Sequence, residues 1–526
     1  MLLKSAIAAV ALIAHSASAQ LILPQLQPAA SAQRDESAFT SNYQSIGSSK
    51  HQVPLGSVKG DGAYLDQMPY KAGQFTRRKQ TNQTCATSGE EHWTGTIDVT
   101  DTHRLFYWAF ESRNDPENDP VLLWMNGGPG GSSLMGGFNE MGACWLRNDS
   151  NSTEPNPWGW NNRATVIILD QPAGVGFSTV AEGGKGSNRD VEGAEDFQTF
   201  LNLFFDKAFP EKKNLPIILA GESYGGHYIP TYVNHILNAR SYDSSTAFRG
   251  NITGMVLVDA LLEFQPLVAG TYDLLCESET GKGILTHEEC KDMQRLVPAN
   301  EALGDYCTVT QNSHDCAVAF EHGMDIWAPY QKRVDKGHGT PYNIHLRCKN
   351  PEQCGRPDTG FISIYFNKPE VKEALGYSPA FEYKDTNFDL NTRYAERFEM
   401  MRPTTRMVAS ILDAIHTEPM VPQPALRNGL ADIKLLIFNG NDDWIVNTAG
   451  NKRVYDNLRW SKQAEYRAAK FRPLEGVPET TGEWKATRDG RLVFMALDKA
   501  GHLVPGDLRP GTLDILEKWM DGEWHF

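Results

Sequence analysis

An α/β fold, with a mostly parallel central sheet flanked by helices and a disulfide-stapled insertion, follows from three observations. Short apolar runs, often β-branched, recur at 105–110, 121–125, 165–169, 217–220, 254–258, 434–439 and 492–497, as expected of strands buried on both faces. Helix-like stretches such as 191–205 lie between several of them, which makes the strands neighbours through crossovers. The interval from about 260 to 430 breaks this alternation and holds six of the eight cysteines, so it is expected to form a cap over the carboxyl edge of the sheet.

At the start, Met1-Leu2-Leu3-Lys4, the apolar run 7–13 and Ala17-Ser18-Ala19 have the three parts of a secretory signal peptide, here 1–19. Residues 20–60 are rich in Ser, Gln, Ala and Pro without a sustained period, the composition of a flexible terminus or a removable pro-segment. The domain proper is expected over 61–526. No later apolar stretch is long enough for stable insertion across a bilayer. Secretion agrees with the glycosylation triplets at Asn82, Asn148, Asn151 and Asn251. The alternative destination is a vacuolar or lysosome-like compartment.

In an oxidising compartment the cysteines favour disulfides. Cys276 and Cys290, Cys307 and Cys316, and Cys348 and Cys354 are each close enough to staple local loops, a support expected where apolar content is small. Cys85 and Cys144 are left to pair or stay free. The net charge of −15 and the lack of a basic run exclude a nucleic-acid partner. Neither His-Glu-x-x-His nor paired Cys-x-x-Cys occurs, so no metal and no cofactor is expected.

Gly221-Glu222-Ser223-Tyr224-Gly225-Gly226 follows the run 217–220 and precedes a helix-like segment. That context is a nucleophile elbow, in which Gly221 and Gly225 give room for a strained turn and Ser223 points outward. A serine hydroxyl is a weak nucleophile and needs an imidazole to take its proton. His227 lies along the helix after the elbow, whereas His502 follows the last apolar run, where the α/β-hydrolase order serine, acid, histidine puts the base. The acid belongs after a late strand, and Asn441-Asp442-Asp443 provides two candidates that spacing alone does not separate. A second glycine turn, Asn126-Gly127-Gly128-Pro129-Gly130-Gly131, follows 121–125 and suits an oxyanion loop, the other donor being the Tyr224 N–H.

Together, Trp124-Met125-Asn126-Gly127-Gly128-Pro129-Gly130-Gly131-Ser132-Ser133, Leu169-Asp170-Gln171-Pro172-Ala173-Gly174-Val175-Gly176-Phe177-Ser178, the elbow, and Ala500-Gly501-His502-Leu503-Val504-Pro505 resemble the serine carboxypeptidases of the carboxypeptidase Y type, over roughly 60–525. The resemblance implies Asp443 as the acid, with Asn447 following, and Gly128 and Tyr224 as oxyanion donors. It implies Trp124, Asn126, Gly127, Glu140 and Glu222 as the site for the substrate's terminal carboxylate. Two close carboxyls share a proton and raise one pKa, so peptide affinity is expected to favour acidic pH. The implied function is removal of C-terminal amino acids from peptides and proteins through an acyl-enzyme on Ser223. The alternatives are an acyltransferase or esterase with the same triad, or an inactive glycosylated binding protein. Two departures stand out: Gly131 where many relatives carry a cysteine, and Val258-Asp259-Ala260-Leu261 in place of a Gly-Asn-Gly type of turn, expected to alter loop packing near the cap.

Overall fold

The computed structural model describes residues 63–147, 150–347, 359–413 and 433–525. The predicted signal peptide, the 20–60 segment, Asn148, Cys348 and Cys354 lie outside the described residues. The strands are β1 (Arg78–Lys79), β2 (His92–Asp98), β3 (His103–Phe110), β4 (Val121–Met125), β5 (Cys144–Leu146), β6 (Thr153–Pro155), β7 (Thr165–Leu169), β8 (Thr179–Val180), β9 (Ile217–Glu222), β10 (Ile252–Val258), β11 (Lys434–Gly440), β12 (Arg472–Pro473), β13 (Gly482–Ala486) and β14 (Leu492–Leu497). Among the described residues they form a twelve-stranded sheet in the order β1-β2-β3-β7-β4-β9-β10-β11-β14-β13-β12, with β8 beside β3, and a β5–β6 hairpin.

The centre of the sheet, from β7 to β14, is parallel, and the flanking strands are antiparallel. Side chains alternate across a strand, and both faces of this sheet are covered. Leu123, Leu219, Leu257 and Ile437 pack on one side with helices Asp190–Leu203 and Gly225–Ser241. Leu122, Trp124, Ala220, Val256 and Phe438 pack on the other with helix Arg509–Met520. That two-sided burial is why the strand runs read as continuously apolar.

Register then decides where chemistry can occur. Met125 lies opposite Gly221, Glu222 opposite Val258, Val258 opposite Phe438, and Gly440 opposite Leu497. The turns after β4, β9, β10, β11 and β14 therefore leave the sheet along one edge, where ligands of such sheets bind.

Between β10 and β11 the described residues form mostly helices, including Phe264–Tyr272, His287–Thr310, Ser313–Val334 and Phe388–Glu396. The sequence predicts an apolar-poor region here, but Phe264, Leu267, Val268, Phe320, Ile326 and Trp327 are buried and continuous with the core on one face of the sheet. Phe320, Ile326 and Trp327 are spaced among polar and charged residues along helix Ser313–Val334, whereas Phe264, Leu267 and Val268 come from the short uncharged helix Phe264–Tyr272. Cys276–Cys290 and Cys307–Cys316 are bonded in this region, and Cys85–Cys144 closes a separation of 59 residues elsewhere.

Candidate active site

Ser223 sits between β9 and helix Gly225–Ser241 at φ +59°, a left-handed conformation costing a non-glycine residue on the order of 1–3 kcal/mol. The surrounding structure imposes it. Ser223 N donates to Val258 O at 3.0 Å, while Ser223 O accepts from Gly226 N at 3.0 Å and Leu261 N at 2.8 Å. A Cβ on Gly221 would meet Ile229 Cγ1 at 2.7 Å and Gly225 Cα at 3.1 Å, so this turn requires Gly221. Gly225 differs from expectation, because its Cβ would meet only Met125 O, at 3.5 Å. The second close approach falls instead on Gly226, whose Cβ would lie 2.7 Å from Leu261 C and 2.8 Å from Leu261 N.

The glycine loop after β4 lies directly against this elbow. A Cβ on Gly127 would fall 2.6 Å from Glu222 O and 2.8 Å from Ser223 Cβ, and closer still to Tyr224 N. Gly128 follows at φ +116°, and Gly128, Pro129, Ser223 and Tyr224 line one cleft. The loop is pinned from below. Ser132 Oγ and Ser133 N donate to Asp170 Oδ1 at 2.6 and 2.9 Å, Phe177 N donates to Asp170 Oδ2 at 2.9 Å, and Ser133 Oγ donates to Leu169 O at 2.6 Å. Burial pushes the Asp170 carboxyl up to about 6 against the pull of these donors.

At the foot of the loop a bonded chain runs into the elbow: Trp124 Nε1 donates to Asn126 Oδ1 at 2.8 Å, and Asn126 Nδ2 donates to Glu222 Oε1 at 2.9 Å. Gly136 N also donates to Asn126 Oδ1, at 2.9 Å. Glu140, which ends helix Leu134–Asn139, is buried, as is Glu222.

Of the two late acids, Asp443 meets the histidine. His502 Nδ1 and Asp443 Oδ2 are 2.7 Å apart, Asp443 is fully buried, and Asp443 Oδ1 accepts from Ile445 N at 3.0 Å. Asp442 turns the other way, 3.6 Å from His345 Nε2. Asn447 caps the helix Thr448–Asp456 through a bond from Gly450 N at 2.8 Å. His227 is buried in its helix, 3.3 Å from Asp190 Oδ2 and stacked on Tyr224.

Asp259, in the turn directly after β10, is fully buried at φ +39°. Donor atoms of Asp259, Asp443 and His502 all lie within 4.8 Å of one another. These are the atom types of a cation site, but His502 Nδ1 is already engaged by Asp443. Sequence patterns missed two features here: the anchoring role of Asp170 inside a quoted motif, and the position of Asp259 behind the acid. Both depend on which strands are neighbours. Asn82 and Asn151 are exposed and Asn251 is half-buried. Among the described residues no helix is long and apolar enough to cross a membrane.

Comparison with known proteins gives this arrangement its context. The family model described as serine carboxypeptidase matches residues 82–522. The chain is 34% identical over 439 residues to carboxypeptidase Y homolog A of Pyricularia oryzae, covering 82% of this chain and 73% of the relative. It is 33% identical over 441 residues to the Aspergillus niger homolog, covering 83% and 73%. The crystal structure of Kex1(delta)p, a prohormone-processing carboxypeptidase from Saccharomyces cerevisiae, shares the fold with a TM-score of 0.69 at 22% identity, covering 84% of this chain and 95% of that one. The chain belongs to the serine carboxypeptidase family.

Proposed function

We propose that the protein removes C-terminal amino acids from peptides and proteins through an acyl-enzyme on Ser223, with His502 as general base and then acid, and Asp443 orienting the imidazole. Ser223 Oγ attacks the last peptide carbonyl while His502 takes its proton. The Gly128 and Tyr224 N–H groups stabilise the oxyanion. The C–N bond breaks as His502 protonates the departing amine, and water then hydrolyses the ester by the same relay. The observation that carries this reading is the elbow at φ +59° opening on the cleft lined by Gly128 and Tyr224, with the His502–Asp443 pair following strands of the same sheet edge.

Trp124, Asn126, Gly127, Glu140 and Glu222 hold the substrate's free carboxylate, a role supported by the Asn126–Glu222 bond directly behind the nucleophile. A proton shared by the two glutamates lets one donate to that carboxylate, which favours acidic media. Leu261, Phe264, Trp327, Met400 and Val446 line the same cleft and favour an apolar side chain on the residue supplying the scissile carbonyl. The leader-like start, the glycosylation triplets and three disulfides support passage through an oxidising secretory compartment.

The test is product analysis of blocked dipeptides that differ in their last two residues, with Ser223→Ala as control. Release of the terminal amino acid by the wild type, and none by the variant, is expected. Hydrolysis of esters without release of amino acids would overturn the reading.

A further inference from the structure

Asp259 is a second carboxyl beside the His502–Asp443 pair, and the triad chemistry makes no use of it. Its Oδ1 accepts from Asn439 Nδ2 and from Gly440 N, each at 2.9 Å. Its Oδ2 is buried and receives no hydrogen bond from the described residues. The side chain is 0% exposed. Asp443, beside it, already accepts from Ile445 N and bonds His502. A buried carboxylate with one oxygen lacking a donor is unfavourable, and a proton on that oxygen removes the charge and supplies a donor for the adjacent acid.

We propose that Asp259 is a positioning residue for the catalytic acid: it stays protonated and holds the Asp443 carboxylate in place against His502. This rests on the reading of Asp443 and His502 as acid and base.

The groups facing Asp259 favour that state. Glu222 comes from β9, Asp443 from the turn after β11 and His502 from the loop after β14, while Asn439 and Asn451 are neutral. Burial first, and then the Asp443 charge, hold the Asp259 carboxyl well above the usual range, with Glu222 adding to the shift and Gly440 N opposing it. The neutral acid leaves the buried Asp259–Asp443 pair with one negative charge, not two, and that charge is left for the imidazolium formed during attack. When pH rises through the Asp259 pKa, the second charge appears and repels Asp443 from its place.

The experiment compares wild type, Asp259→Ala and Asp259→Asn by kcat, KM and pH profile on a blocked dipeptide. Asparagine keeps the acceptor for Asn439 and Gly440 and presents an N–H where the acid has its O–H, but it does not ionise. Asp259→Ala is expected to lose about tenfold or more in kcat with KM nearly unchanged, and Asp259→Asn to recover to within about threefold of wild type. The alkaline limb of kcat, read at saturating substrate so that carboxylate binding is not limiting, is expected to move up by about one pH unit or more in Asp259→Asn. An unchanged alkaline limb in Asp259→Asn, or a kcat as low as that expected of alanine, overturns the proposal, as does an alanine variant with wild-type kcat. Should the alanine variant not fold, the asparagine profile decides alone. Failure of the wild type to release amino acids overturns the underlying reading and this proposal with it. An active wild type with indifferent Asp259 variants overturns only the role of Asp259.

Discussion

Replacing Gly127 with alanine puts one methyl group between the glycine loop and the elbow, and the structure sets the cost. The new Cβ would lie 2.6 Å from Glu222 O, 2.8 Å from Ser223 Cβ, and closer again to Tyr224 N. Carbon contacts settle at roughly 3.5–4.0 Å, so the two turns must separate by about 1 Å. None of these neighbours is the end of a flexible side chain. The elbow is held by bonds to Val258 and Leu261, and the loop by Asp170, so the strain falls on the Gly128 and Tyr224 N–H groups proposed to face the oxyanion. Losing one such donor costs about 3–4 kcal/mol of barrier, or 10²–10³ in kcat. Steady-state kinetics on a blocked dipeptide, beside thermal melting, measures the effect. Gly225→Ala is the control, since its Cβ would meet only Met125 O at 3.5 Å, and it should stay within about threefold of wild type. A Gly127→Ala enzyme that is folded and within about fivefold of wild-type kcat would refute the proposed role of this contact.

The Glu140 and Glu222 pair predicts that KM for a peptide with a free carboxylate rises between pH 4 and 8, while KM for the matching peptide amide changes less; parallel profiles would remove the shared proton from the account. Asp170 predicts a pH-dependent stability. Its folded pKa, about 6, is above the ordinary 3.8, so the native state binds the extra proton, and the contribution is complete below about pH 4 and lost as pH rises through about 6. For this buried group the difference is on the order of 3 kcal/mol, so Asp170→Asn should flatten the fall in urea midpoint between pH 4 and 7, and an unaltered slope would count against it.

The parallel centre of the fold was legible because each of its strands is buried on both faces. The run 121–125 coincides with β4, 165–169 with β7 and 492–497 with β14. β2 escaped notice because His92-Trp93-Thr94-Gly95-Thr96-Ile97-Asp98 mixes polar residues with a glycine. Gly95 is there because its Cβ would run into the Thr76 backbone carbonyl and lie 2.5 Å from the Tyr107 hydroxyl, contacts that only the fold brings about. β13 reads as polar for a related reason, as it is half-buried beside the short outer strand β12. The elbow and glycine loop announce themselves locally, whereas choosing between Asp442 and Asp443 needs the direction of the turn, which the bonds Asp442 N to Ala500 O and Ile445 N to Asp443 Oδ1 define. Asp170 and Asp259 have partners on neighbouring strands and loops, so no local pattern reveals what they hold. The bond between Cys85 and Cys144 likewise depends on where two distant segments meet.

The central claim is that Ser223 carries the acyl group in the cleavage of C-terminal residues. Its most direct measurement is titration with a peptidyl phosphonate that reacts with activated serines, following intact mass, mapping the adduct, and recording amino-acid release in the same samples. One adduct per chain on Ser223, with activity falling in proportion to labelling, is the predicted result. Full labelling of Ser223 with activity retained, or loss of activity with the adduct on another residue, would contradict it.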